Sequence, residues 1–141
     1  MERRSFLALA AAGAAAVAAA GRRSARAEET RMFSAAYLVK RKPGMSFEDY
    51  SRHQVETHVG LAHALPGLRS YRYVDLPPIA GEDQLFDGLA LLEFDSREAH
   101  DAALASPEGQ AALADLPSFQ DTEAMRAVFG PTVSRVDSFP A

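Results

Sequence analysis

The 141-residue chain contains no cysteine and no tryptophan. Without cysteine there is no disulfide framework, no thiolate metal site, no iron–sulfur cluster and no thiol nucleophile. Nor does it have a glycine-rich phosphate loop or a dinucleotide fingerprint, so the usual nucleotide-binding motifs are missing. Cationic excess is absent as well. The formal net charge is −4, the wrong sign for a nucleic-acid surface. The longest apolar run covers residues 6–20, 15 residues rich in alanine. A membrane-spanning helix takes about 20 apolar residues, so this run reads instead as the middle of an export signal.

The flanks agree with that reading. Arg3-Arg4-Ser5-Phe6-Leu7 precedes the run, and Ala25-Arg26-Ala27 follows it as a small-x-small cleavage site. This is the three-region plan of a secretory signal peptide. The paired arginines with Phe and Leu resemble a twin-arginine signal, which carries folded proteins across a membrane. The expectation is a signal over residues 1–27, a mature domain over residues 28–141, a periplasmic or secreted location and no stable membrane span after cleavage. The signal takes five basic residues and one acidic residue with it. The mature 114 residues then hold ten basic and eighteen acidic side chains, a balance of −8. An acidic domain of this kind is a poor partner for nucleic acid or anionic lipid.

The mature chain reads as strands and helices in the order βαββαβ. Residues 32–40 form a strand candidate that ends at Pro43-Gly44, a strong turn signal. Ser46 caps a helix with Asp49 three residues on. Along that helix Phe47, Gln54, His58, Leu61 and Leu65 share one arc at 100° per residue, and Leu65-Pro66-Gly67 stops it. Strand candidates at 68–74 and 85–94 follow, separated by a loop with two prolines. Ser96 opens a second helical region, and Ser106-Pro107 restarts it. A last strand runs through 125–129 and 132–136, broken at Gly130-Pro131. The fold class expected is α+β: a ferredoxin-like βαββαβ sandwich forming a dimeric α+β barrel. The second sheet face is apolar, and a second copy of the chain would cover it, making a homodimer.

Several runs resemble the EthD family: residues 40–50 (KRKPGMSFEDY), 56–62 (ETHVGLA), 65–71 (LPGLRSY), 86–90 (FDGLA) on to 94–96 (FDS), and 102–109 (AALASPEG). Asp115, Phe119 and Asp121 complete the pattern. The resemblance covers residues 33–136 and implies the same dimeric barrel. The family is named for a protein required when bacteria degrade an ether fuel additive by an oxidative cytochrome system. Barrels of this type include lactone isomerases, polyketide-type dehydratases and cyclases, cofactor-free monooxygenases and haem enzymes. The chain departs from the family pattern in lacking Trp near Gln54 and Pro near Gly60. It also has Glu93 where an aromatic is common.

His58 is the leading candidate for chemistry. It matches the family histidine and sits centrally on the apolar helix face, where imidazole serves as acid or base near neutral pH or as a packed structural group. Glu93 is the second catalytic candidate. It is either a barrel-lining carboxylate with a raised pKa or a solvated group at a strand edge. Tyr37, Gln54 and Tyr71 are the candidates for substrate binding, because tyrosine pairs a ring with a hydroxyl. His53, His58 and His63 lie five apart, about 140° around an α-helix per step, so no three-histidine metal site is expected. His53, His63 and His100 are read as solvated, and Asp121 as a cap or a partner in a structural salt bridge. The expected function is binding of a small, mostly apolar organic molecule, with cofactor-independent isomerisation or dehydration, or an oxidoreductase-type step in catabolism. A haem protein with His58 as axial ligand, or a non-catalytic binding protein, are the alternatives.

Overall fold

A computed structural model describes residues 32–133, 136 and 138. The expected export signal lies outside these residues. Four strands form one antiparallel sheet: β1 (Phe33–Val39), β2 (Ser70–Asp75), β3 (Gly88–Phe94) and β4 (Arg126–Pro131). Their order across the sheet is β2-β3-β1-β4. With the helices on one face, this is the ferredoxin-like fold the element order points to. No helix among the described residues is long and apolar enough to cross a membrane.

The helices start where the sequence offers a hydroxyl. Ser46 caps α1 (Phe47–His53) by accepting from the Asp49 N–H. Ser96 does the same for α3 (Arg97–Ala105) through Ala99, and Ser106 for α4 (Pro107–Asp115) through Gly109. Pro107 follows at a first-turn position, where its missing N–H costs nothing. The turn before α1 needs Gly44, whose φ of +82° lies in the left-handed region. Two boundaries differ from the sequence reading. β3 begins at Gly88 rather than residue 85, and β4 runs through Gly130 to Pro131 instead of breaking there. β4 is an edge strand, and an edge tolerates proline because only one side of it must donate hydrogen bonds.

The first helical stretch is not one α-helix. Between α1 and α2 (Val59–His63) the backbone forms a π-turn over Gln54–His58. Each π-type bond reaches one residue further than an α-type bond, so a turn takes up more residues.

The strand register sorts the side chains onto two faces. Phe33, Ala35, Tyr37 and Val39 align with Phe94, Leu92, Ala90 and Gly88 on the helix side. One buried cluster there contains Phe33, Ala35, Leu65, Leu92, Phe94 and Ala103, and another contains Val39, Tyr50 and Phe119. The opposite face carries Ala36, Leu38, Val74, Leu89, Leu91 and Val128 in neighbouring register. That face is as apolar as the sequence implied.

Candidate functional site

A cavity of about 300 Å³ lies between the sheet and the helices, bounded by residues of both core clusters. Strands supply Tyr37, Tyr71, Tyr73, Ala90, Leu92 and Phe129 to its wall. The helical side supplies Gln54, His58, Ala62, Leu104, Leu113 and Leu116. Among the described residues no lysine, arginine, aspartate or glutamate lines it, and the volume is at the small end for ligand pockets. Its shape and lining suit a compact, largely uncharged molecule.

Four of the five sequence candidates converge here. Tyr37, Gln54, His58 and Tyr71 all line the cavity. Gln54 is 1% exposed, and its Nε2 donates to the Tyr71 hydroxyl at 2.9 Å. The Gln54 Oε1 and the Gln120 Oε1 are buried in the wall with no hydrogen-bond partner. Leaving such a carbonyl unpaired costs about 1–3 kcal/mol, so these atoms mark the wall as a place where packing alone does not satisfy the chain. Glu93 is elsewhere. It pairs in register with Ser34 and Ser70 on the sheet face turned away from the cavity, together with Leu89 and Leu91. It is only 4% exposed, so it is neither a cavity carboxylate nor a solvated one.

The π-turn explains why His58 has the partners it has. Its Nδ1 lies 2.9 Å from Asp115 Oδ2, and His53 Nε2 lies 2.9 Å from Asp115 Oδ1. Five residues of α-helix would turn the two imidazoles far apart. Because the π-turn spends more residues per turn, both reach one carboxylate at the end of α4. His53 also stacks on Phe119, with ring centroids 4.4 Å apart. The expectation of a solvated His53 is therefore corrected: it is half-buried and bound. His63 is exposed, edge-on to Tyr71 at 5.4 Å.

The electrostatics fix the protonation state. Burial lowers the His58 pKa from its ordinary 6.5, and the Asp115 bond and charge only partly restore it. Burial pushes the Asp115 carboxyl up, but the bonds from His58 and His53 outweigh this and hold it below the usual range. At neutral pH the pair is a neutral imidazole beside a carboxylate. A carboxylate only accepts, so Nδ1 carries the hydrogen. The nitrogen left to the cavity is Nε2, with its lone pair available. An imidazole oriented by a half-buried carboxylate is the arrangement of a general base.

Asp115 is the functional residue that reasoning from local pattern missed. It entered only as part of the family resemblance, and nothing in its neighbourhood signals that it meets residues 53 and 58. His100 is the other surprise. Expected at the surface, it is 4% exposed and enclosed by Phe33, Phe94 and Phe129. Asp121 does cap a turn, accepting from the N–H groups of Glu123 and Ala124.

Among the described residues the lining offers no lysine or arginine to meet the propionates of a haem. Among the described residues no group of three or more histidine or carboxylate side chains is placed to hold a metal ion.

Residues 42–123 match the EthD domain family. Among solved structures, the fold is similar to an ethyl tert-butyl ether D (EthD) family protein from Bacillus halodurans, with a TM-score of 0.59 and 20% identity over 70% of this chain and 96% of that one. It is similar to a dimeric ferredoxin-like protein of unknown function from Thermobifida fusca, with a TM-score of 0.57 and 20% identity over 72% and 91% of the two chains. It is also similar to SnoaB, a cofactor-independent oxygenase from Streptomyces nogalater, with a TM-score of 0.52 and 12% identity over 79% and 99%. No curated protein matches the chain.

Proposed function

Given that the chain belongs to the EthD domain family, we propose that it binds a compact, mostly apolar organic molecule between sheet and helices and moves a proton on it, with His58 as the acid–base group. The observation that carries this reading is the Asp115–His58 pair set in the wall of an apolar cavity. His58 Nε2 takes a proton from the bound molecule, and the Asp115 carboxylate stabilises the imidazolium that forms. Returning that proton to a second carbon completes an isomerisation. Returning it to a departing hydroxyl completes a dehydration. An oxidative outcome, of the kind named for SnoaB, starts from the same proton removal with dioxygen as co-reactant.

Two further parts of the proposal concern setting. The apolar sheet face pairs with a second copy of the chain, giving the homodimeric barrel. Residues 1–27 direct export by the twin-arginine route, which would be seen as periplasmic protein lost on substituting Arg3 and Arg4 by lysine.

A carbon acid of suitable size tests the chemistry. In 5-nitrobenzisoxazole a base removes one C–H proton as the N–O bond breaks, releasing a coloured cyanophenolate. The expected result is saturable turnover that falls at least about a hundredfold in His58→Ala. Ala90→Phe, which fills the cavity, should abolish saturation while leaving the fold intact. Turnover no faster than in buffer, or unchanged in His58→Ala, would refute the reading.

A further inference from the structure

A second chain of titratable groups leads from the cavity to water. Tyr37 lines the cavity, and its hydroxyl is 2.8 Å from His100 Nε2. His100 Nδ1 is 2.8 Å from Asp101 Oδ1. The Asp101 carboxylate is 61% exposed, with Arg97 Nε 3.7 Å from its other oxygen. Packing shields the middle of the chain, because three phenylalanine rings enclose the imidazole at centroid distances of 5.3 to 5.5 Å. A buried histidine is costly to retain unless both nitrogens are satisfied, and here each nitrogen has one partner. One partner faces the ligand space and the other faces solvent.

We propose that Tyr37, His100 and Asp101 form a proton relay between the cavity and bulk water, with Tyr37 as the group that exchanges a proton with a hydroxyl of the bound molecule. The inference rests on the cavity being a ligand site, as proposed above, but not on His58 being the base. The carboxylate sets the direction of the hydrogen bonds. Asp101 accepts from Nδ1–H, so Nε2 accepts from the Tyr37 hydroxyl. On outward transfer the ligand's O–H proton passes to the Tyr37 oxygen as the tyrosine's own proton passes to Nε2. The Nδ1 proton passes to Asp101, and water takes it from there. One proton leaves, and each oxygen and nitrogen of the relay ends with its ordinary valence. The imidazole is left as the Nε2–H tautomer, which is set to donate toward Tyr37 on the return. Burial and the Asp101 charge push the Tyr37 pKa up to about 12, so the tyrosine rests protonated. Arg97 forms an ion pair with the carboxylate at the solvent end.

The test uses 4-nitrophenol as the probe, since its absorbance separates phenol from phenolate. The full-length protein is saturated with the probe, and stopped-flow pH jumps follow the rate at which the bound chromophore changes ionisation. The jumps are run on wild type and on His58→Ala, which removes the other route. The relay predicts that His100→Phe and Tyr37→Phe each slow this rate at least tenfold in the His58→Ala background. Melting temperature should hold within a few degrees in both variants, because phenylalanine keeps the packing, and affinity should hold within about twofold in His100→Phe, whose ring lies behind the cavity wall. Asp101→Asn should slow the rate as well while keeping the hydrogen bond to Nδ1. Binding that persists with rates unchanged in these variants would overturn the relay alone. Absence of saturable binding, or binding that survives Ala90→Phe, would overturn the cavity reading and the relay with it.

Discussion

Replacing Asp115 with asparagine is the most informative single change, because the side chain keeps its shape and loses its charge. In the native chain the carboxylate accepts from two imidazoles, at 2.9 Å from each. An amide offers one oxygen and turns an NH₂ toward the other partner. One charge-assisted bond, worth about 1.5–3 kcal/mol, is lost outright, and the remaining bond weakens. The net expectation is a loss of about 2 kcal/mol at pH 7, or about 10 °C in melting temperature for a domain of this size. The pH dependence carries more information than the size. The folded His58 pKa lies below its unfolded 6.5, so its stability contribution is complete above pH 6.5 and is lost as pH falls from there. Removing Asp115 removes what holds that pKa up, so the variant loses more stability below pH 6.5 than wild type does. The Asp115 carboxyl, itself depressed, contributes stability above its unfolded 3.8 that is lost below it, and this component vanishes in the variant. Melting curves at a series of pH values, with the 5-nitrobenzisoxazole rate at each, measure both effects. The rate should fall about a hundredfold or more, because the imidazole loses the partner that fixes its tautomer. A variant with wild-type stability at every pH and an unchanged rate would refute the claim that this carboxylate organises the site.

Two glycines make opposite predictions by calorimetry. At Gly109 a Cβ would stand 2.1 Å from the Ala103 carbonyl oxygen and 2.5 Å from that of Leu104. The clash is with backbone, so overpacking of about 3 kcal/mol outweighs the roughly 1 kcal/mol that alanine gains in a helix, and Gly109→Ala should melt well below wild type. At Gly60 nothing lies within 4 Å, so Gly60→Ala should raise stability by about 0.5–1 kcal/mol. On the apolar sheet face, Leu91→Arg should convert a dimer to a monomer by light scattering without unfolding it. A dimer that persists unchanged would place the interface elsewhere.

The sequence disclosed the parts of this protein that are local. Ser46, Ser96 and Ser106 each precede a helix and each caps it, because capping is settled within three residues. The order of elements along the chain followed from the spacing of the turns, and the apolar second sheet face from alternation along the strands. What depends on partners distant in sequence was not legible. His53 and His58 looked divergent because the reading assumed an α-helix, and nothing in the local pattern announces the π-turn that brings them together. His100 looked exposed because it follows a helix cap. The three rings around it come from β1, β3 and β4. Glu93 shares parity with Leu89 and Leu91, but which sheet face holds the cavity depends on where the helices pack. Tyr37, Gln54, His58 and Tyr71 line one cavity because each alternates or turns onto the side of its element that faces the core.

The most direct measurement is the ¹⁵N NMR spectrum of the His58 imidazole at neutral pH. The account predicts a neutral ring with hydrogen on Nδ1 and a bare Nε2, titrating below 6.5, whose Nε2 resonance shifts when 4-nitrophenol fills the cavity. An imidazolium at pH 7, or hydrogen on Nε2 with Nδ1 bare, would contradict it.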